Sequence, residues 1–110
     1  MYLNGEIKKD IVKAIQNQNL IKIYFHKEDS YQREERNIAP YDIYPQKDKS
    51  GRERDYLIGY SEENFDIPDR PFSQYLDNME GATILDKKFD GQELKRLLNP
   101  KNRPYISRNW

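Results

Sequence analysis

"GEIKKDIVKAIQNQNLIKIYFH", residues 5–26, changes its period part-way along. Ile7, Ile11, Ala14 and Ile15 recur at i, i+4, i+7 and i+8, which lays one apolar stripe along a helix. Asn4 stands where an N-cap belongs, and the helix is expected over residues 5–17. After Asn19 the spacing becomes two. Ile21, Ile23 and Phe25 alternate with Lys22, Tyr24 and His26, the pattern of a strand with one buried face. A helix this short does not persist alone and must dock its stripe on something. The switch therefore predicts a helix laid on a sheet.

Working outward, "KEDSYQ" reads as a loop and "REERNIAPYDIYP" as a second strand. Pro40 cannot donate to a ladder, so that strand is an edge or carries a bulge. "QKDKSGR" is a polar turn. "DYLIGYS" is the most apolar strand, and Gly59 inside it predicts a bend or a close backbone approach. Alternation puts Tyr56, Ile58 and Tyr60 on one face and Leu57 and Gly59 on the other. "FSQYLDN" and "ATILD" read as two more strands joined by "MEG", and "GQELKRLLN" as a short second helix. Pro100 and Pro104 end regular structure. The order of one helix, five short strands and one short helix predicts a mainly β, α+β domain. Its strands are expected to roll into a small barrel, which removes exposed edges.

The chain has 110 residues, which suits one domain. Residues 1–98 are assigned to it and 99–110 to a basic, proline-containing tail. Apolar and charged contents are both 35%, yet nine tyrosines and four phenylalanines supply enough buried area for a folded core. With no cysteine there is no disulfide framework, which fits a reducing cytoplasm. No apolar run approaches the roughly 18 residues of a membrane span, so no membrane partner is expected. Net charge is zero, against a strongly basic nucleic-acid binder. The charge is unevenly spread: residues 61–80 hold six acids and one base, and residues 81–110 hold seven bases and three acids.

Several chemistries are missing. One histidine, His26, and no cysteine leave no usual zinc site. There is no glycine-rich phosphate loop and no nucleophile elbow. "EENFDIPD", residues 62–69, lacks the alternation and final glutamate of a calcium loop and reads as a solvated loop. No paired general acid and base stands out. The expectation is a protein without catalytic residues, metal or cofactor.

From Ile11 to Phe89 the chain resembles the WYL domain. "IVKAI" is similar to the opening helix and "LIKIYF" to the first strand with its tyrosine, Tyr24. "RNIAPYDI" resembles the family's Arg-x-aliphatic-x-Pro-Tyr strand through Arg36, Ile38, Pro40 and Tyr41. "DYLIGY" occupies the naming motif, with Tyr56 and Leu57 matching and Asp55 where tryptophan is expected. "LDNMEGATILDKKF" resembles the Leu-Asp-Arg-Ile segment and its following strand, with Asn78 where arginine is expected.

The resemblance implies an Sm-like or SH3-like barrel behind an N-terminal helix. It implies a ligand-sensing or nucleic-acid-binding module of bacterial or phage proteins. Such modules sit in transcriptional regulators behind a winged helix-turn-helix, on helicases, or beside CRISPR effectors. No helix-turn-helix is visible here, so a stand-alone or excised module is implied. The implied ligand patch comprises Arg36, Tyr24, Tyr56, Asn78, Asp77 and Tyr41. Arg36 retains a positive charge there that can pair with phosphate. Asn78 hydrogen-bonds but supplies no charge, and tyrosines can stack on a base.

Two functions follow. One is a non-catalytic regulatory module that binds single-stranded nucleic acid or a nucleotide-like anion. The alternative is a protein-interaction or dimerisation module whose ligand patch has decayed, favoured by Asp55, Asn78 and the zero net charge. The tail "NPKNRPYISRNW", residues 99–110, is read first as a linker or disordered segment, and otherwise as a nucleic-acid arm or docking peptide.

Overall fold

A computed structural model describes residues 4–27, 30–65 and 67–110. Helix α1 spans Asn4–Asn17 and buries Ile7, Ile11, Ala14 and Ile15 completely, as their spacing predicts. The side chain of Asn4, the expected cap, lies outside what is described. The helix stops at Gln18, whose φ of 56° is left-handed and turns the chain directly into the sheet.

Five strands follow: β1 (Asn19–His26), β2 (Arg33–Lys47), β3 (Glu53–Ser61), β4 (Phe72–Tyr75) and β5 (Met79–Lys88). Helix α2 covers Gly91–Leu98, capped by the Asp90 carboxylate, which accepts the Gln92 and Glu93 N–H groups. All strand pairs are antiparallel, in the order β4-β3-β2-β1-β5. The two outer strands of that order, β4 and β5, are joined only by a three-residue 3-10 turn, Leu76–Asn78. Such a turn advances about 2 Å per residue, so the sheet must curl until its edges nearly meet. Phe25 of β1 and Phe72 of β4, with β2 and β3 between their strands in the sheet, accordingly touch across the interior with centroids 5.4 Å apart.

That turn corrects the expected loop at "MEG". Composition suggests a turn at Met79, Glu80 and Gly81, but these residues belong to β5 and the chain turns earlier. Burial explains the difference: Leu76 and Met79 both enter the core, at 1% and 4% exposure. Gly81 simply sits opposite Tyr24 in the β1–β5 ladder.

Pro40 marks a bulge, not an edge. β2 lies between β1 and β3, and its pairing moves from Pro40↔Gly59 to Asp42↔Ile58, leaving Tyr41 as the extra residue. Residues 38–43 are consequently all buried instead of alternating. Gly59 is required opposite the bulge, because a Cβ there would stand 2.3 Å from the Ala39 carbonyl oxygen.

Both faces of the sheet are covered. Leu57 and Ile43 join the core under α1, with Ile21, Ile23 and Phe25. Tyr60, Tyr41 and Ala39 join a second core on the other face with Phe89 and Leu94, beneath α2. The Tyr60 hydroxyl donates to the Ile67 carbonyl and accepts the Arg70 N–H, tying down the loop after β3.

Residues 99–110 differ from the linker expected of them. The chain leaves α2 through Asn99 in a left-handed conformation, φ 47°, and lies against the second face. Both oxygens of the buried Asp42 carboxylate accept backbone N–H groups of this segment, from Tyr105 and Ile106, each at 3.0 Å. Arg108, its side chain 2% exposed, packs against the rings of Tyr41 and Trp110, 4.6 Å from each centroid, and 3.5 Å from Asp42. The Trp110 indole N–H donates to the Ile15 carbonyl at 2.8 Å, and its ring fills the space a side chain would occupy at Gly91. A proline-containing polar segment is thus held by one buried acid and one ring.

Candidate functional site

The six residues of the implied patch do not form one site. Arg36 lies on β2 opposite Ile23. Its guanidinium is held by acceptors: Glu34 at 2.8 Å, Glu63 at 3.4 Å and the Glu35 carbonyl at 2.9 Å. The adjoining cavity of about 240 Å³ is lined by Lys22 and Arg36 but also by Glu35, Glu62 and Glu63, so acids outnumber bases. Glu62 accepts from Lys87 and Asn37, which hold its carboxyl below the usual range. Asp66 of this acidic loop lies outside the described residues. Tyr24 alternates with Ile23 on β1, and the Arg33 guanidinium lies 4.8 Å from its ring. Tyr41 is 5% exposed within the second core, where burial, above all, raises its pKa.

Tyr56, Asp77 and Asn78 do come together, through a residue the sequence reading did not select. Arg54 of β3 has a side chain only 8% exposed. Its Nε donates to both oxygens of Asp77, at 3.1 and 3.0 Å, and its Nη2 reaches the Asn78 side-chain oxygen at 3.4 Å. The same guanidinium packs 3.8 Å from the centroid of Tyr75, the β4 partner of Tyr56. Asp48 approaches Arg54 at 3.5 Å. Its carboxyl is held low chiefly by the Ser50 hydroxyl, then by the Arg52 and Ser50 N–H groups and by Arg54. Arg52 makes a second contact to Asp77 at 2.9 Å. Asn78 in turn donates to Gln74 at 2.9 Å. Asp77 and Asn78 therefore anchor the turn between β4 and β5 to the β2–β3 hairpin.

Beside this node runs a row of tyrosines. Tyr44, Tyr56 and Tyr75 are direct cross-strand partners on β2, β3 and β4. Their ring centroids are 5.7 Å apart from Tyr44 to Tyr56 and 4.8 Å from Tyr56 to Tyr75. Tyr105 from the C-terminal segment extends the row, stacked on Tyr44 at 6.3 Å with an interplanar angle of 26°. Tyr44, Tyr56 and Tyr75 are half-buried, and Tyr105 is 68% exposed. The Tyr56 hydroxyl donates to Ser73 at 2.7 Å, fixing the central ring. Burial, then the neighbouring Tyr56, raises the pKa of Tyr44. The rings are tilted against one another, at 74° from Tyr44 to Tyr56 and 55° from Tyr56 to Tyr75, so the row is a continuous aromatic surface of edges and faces beside guanidinium groups.

The sequence reading missed Arg54, Tyr44, Tyr75 and Tyr105. A signal for Tyr44 exists. Counting outward from the turn at residues 48–52 places it opposite Tyr56. Tyr105 has no such signal, because its position depends on Asp42 receiving the tail.

No protein-family model matches this chain, and no curated protein matches it. Among solved structures the chain is similar to proteasome accessory factor B/C (PafBC) of Arthrobacter aurescens, with a TM-score of 0.65 over 92% of this chain at 15% identity. The likeness is one of fold. This chain spans 14% of the PafBC chain. Among the described residues no helix is long and apolar enough to cross a membrane.

Proposed function

We propose that this domain is a non-catalytic, WYL-like regulatory module that binds single-stranded nucleic acid or a nucleotide-like anion. The row Tyr105–Tyr44–Tyr56–Tyr75 is its stacking surface. That row is the observation on which the reading rests. Every base has a π-face, and stacking one on an aromatic side chain contributes roughly 1–3 kcal/mol. Neighbouring strands lie about 4.8 Å apart, so tyrosines on adjacent strands form one continuous aromatic surface along which a flexible ligand can lie. Of the implied patch, Tyr56 is a member of this row and Asn78 borders it through Arg54. Arg36 lies in the acidic cavity and has no part in it on this reading. A chain free of cysteine suits the cytoplasmic setting that the reading includes.

Titrating hexathymidylate and hexauridylate into the protein at low and moderate salt tests this. Binding that weakens as salt rises, and weakens again in Tyr56→Ala, is the expected result. A chain that binds neither oligonucleotide at low salt overturns it. A protein-interaction surface is the second reading. It is favoured by one observation: Arg52 and Arg54 are balanced by Asp77 and Asp48, which leaves the tyrosine face close to neutral. Partly exposed tyrosines are common at protein interfaces.

A further inference from the structure

Where residues 100–105 cross the second face of the sheet they enclose a cavity of about 380 Å³. That is within the size range of small-ligand sites. Tyr41, Tyr44 and Ile58 form its buried side, and Lys101 and Arg103 stand on its exposed side. Asp42 is the acid lining it, and that carboxylate already receives two backbone N–H groups and Arg108. Among the described residues neither Lys101 nor Arg103 has an ion pair or side-chain hydrogen bond. The contrast with the Arg36 cavity is one of sign. There three glutamates surround two cations; here two unpaired cations face an acid that is already satisfied.

We infer that this cavity is a nucleotide seat: it takes one nucleoside phosphate, with the base against Tyr44 and Ile58 and the phosphate on Lys101 and Arg103. The inference rests on the proposed reading of the tyrosine face and gives it an anion site. Tyr44 and Tyr105 belong to both, so a ligand stacked along the row continues into the cavity. The planar fork of Arg103 matches two phosphate oxygens, and Lys101 adds a point charge. Tail docking builds the site, because the cations precede the two N–H groups that Asp42 holds. Two sources offer this chemistry: a free mononucleotide, or the phosphorylated end of a single strand.

The test titrates AMP and adenosine into the protein at low salt, following backbone amide shifts of residues 41–44 and 98–105. AMP is expected to shift these amides saturably, with adenosine weaker by about tenfold or more, the margin a charge-assisted bidentate contact supplies. The double variant Lys101→Gln/Arg103→Gln removes exposed, unpartnered side chains, so its unfolding midpoint should match the parent. It is expected to lose the preference for AMP over adenosine. Hexathymidylate with and without a terminal phosphate then separates the sources. A strand end as source gives tighter binding of the phosphorylated form and its displacement by AMP; a free nucleotide as source gives equal binding of the two. AMP that moves none of these amides, or that binds the double variant as it binds the parent, overturns the inference. Loss of hexathymidylate binding alone, with AMP still seated, overturns only the stacking role of the tyrosine row.

Discussion

Replacing Asp42 by asparagine is expected to release the C-terminal segment. One Asp42 oxygen accepts the Tyr105 N–H and the other the Ile106 N–H, each at 3.0 Å, and Arg108 lies 3.5 Å away. Asparagine keeps one acceptor and turns an NH₂ group toward the other N–H. Arg108, its side chain 2% exposed, then loses its counter-charge while still buried against two rings. Removing one partner of a buried pair destabilises by about 3–5 kcal/mol. The loss has a ceiling, because once residues 99–110 detach, Arg108 regains water and the remaining sheet is spared. A fall of about 3 kcal/mol, near the lower bound, is therefore expected, which for a domain of this size lowers the midpoint by about 12 °C or more. Hydrogen exchange gives the specific readout. The Tyr105 and Ile106 amides should be protected in the parent and exchange rapidly in the variant. Trp110, the chain's one tryptophan, should shift its emission to the red as it leaves Gly91 and Phe89. If both amides stay protected and the emission does not move, the carboxylate is not what holds the segment.

Leu57→Ala should cost about 2–5 kcal/mol in denaturant unfolding, since a fully buried branched side chain leaves a cavity under α1. Gly59→Ala should destabilise by about 3 kcal/mol, because the new methyl meets backbone at Ala39 that cannot yield without moving the bulge; a thermal melt matching the parent would contradict this. Arg36→Ala should leave hexathymidylate affinity and its salt slope unchanged, as Glu34 and Glu63 already neutralise that charge; a slope lower by about one unit would return Arg36 to the site. Burial raises the pKa of Tyr44 in the folded state. Its contribution to stability is complete below the unfolded value of about 10 and is lost as pH rises through the folded one. Alkaline denaturation should therefore be shallower in Tyr44→Phe, which keeps the ring but cannot ionise.

The fold was legible where one periodicity dominates. The stripe from Ile7 to Ile15 and the alternation from Ile21 to Phe25 each state a single buried face, and both faces are found as expected. β2 and β3 were harder because the sheet is covered on both sides. Around Tyr41 and Tyr60 a second core makes alternation uninformative. The bulge at Pro40 and the close approach at Gly59 were readable from residue type alone, since each residue does something other residues cannot. The site was read less well. Single positions such as Arg36 carry no information about their neighbours, and Glu34 and Glu63 are brought to it by the fold. Arg54 falls between the polar turn and the apolar strand and matches no motif, yet it is the hub that joins Asp77 and Asn78 to the tyrosine row. The tail misled because proline and polar composition describe a segment without its receptor, and that receptor is Asp42, some sixty residues earlier in the chain.

The last turn of α1 is where distant parts of the chain converge. The Ile15 carbonyl accepts from Trp110, the Gln16 side chain donates to the Ser107 carbonyl, and Gln18 accepts the N–H groups of Phe89 and Gly91. β1, which begins one residue later, also waits for β5 to pair its outer side. Contacts of such wide sequence separation are slow to form, because the loop must close before they reward it. On the ribosome, a chain that has reached Tyr75 holds α1 and four strands but nothing to cover one side of β1. Its isoleucine stripe is incompletely housed until residues 79–88 emerge. Folding of this domain is accordingly a late event in its own synthesis, and truncations within β5 should yield aggregating chains, not smaller folded ones.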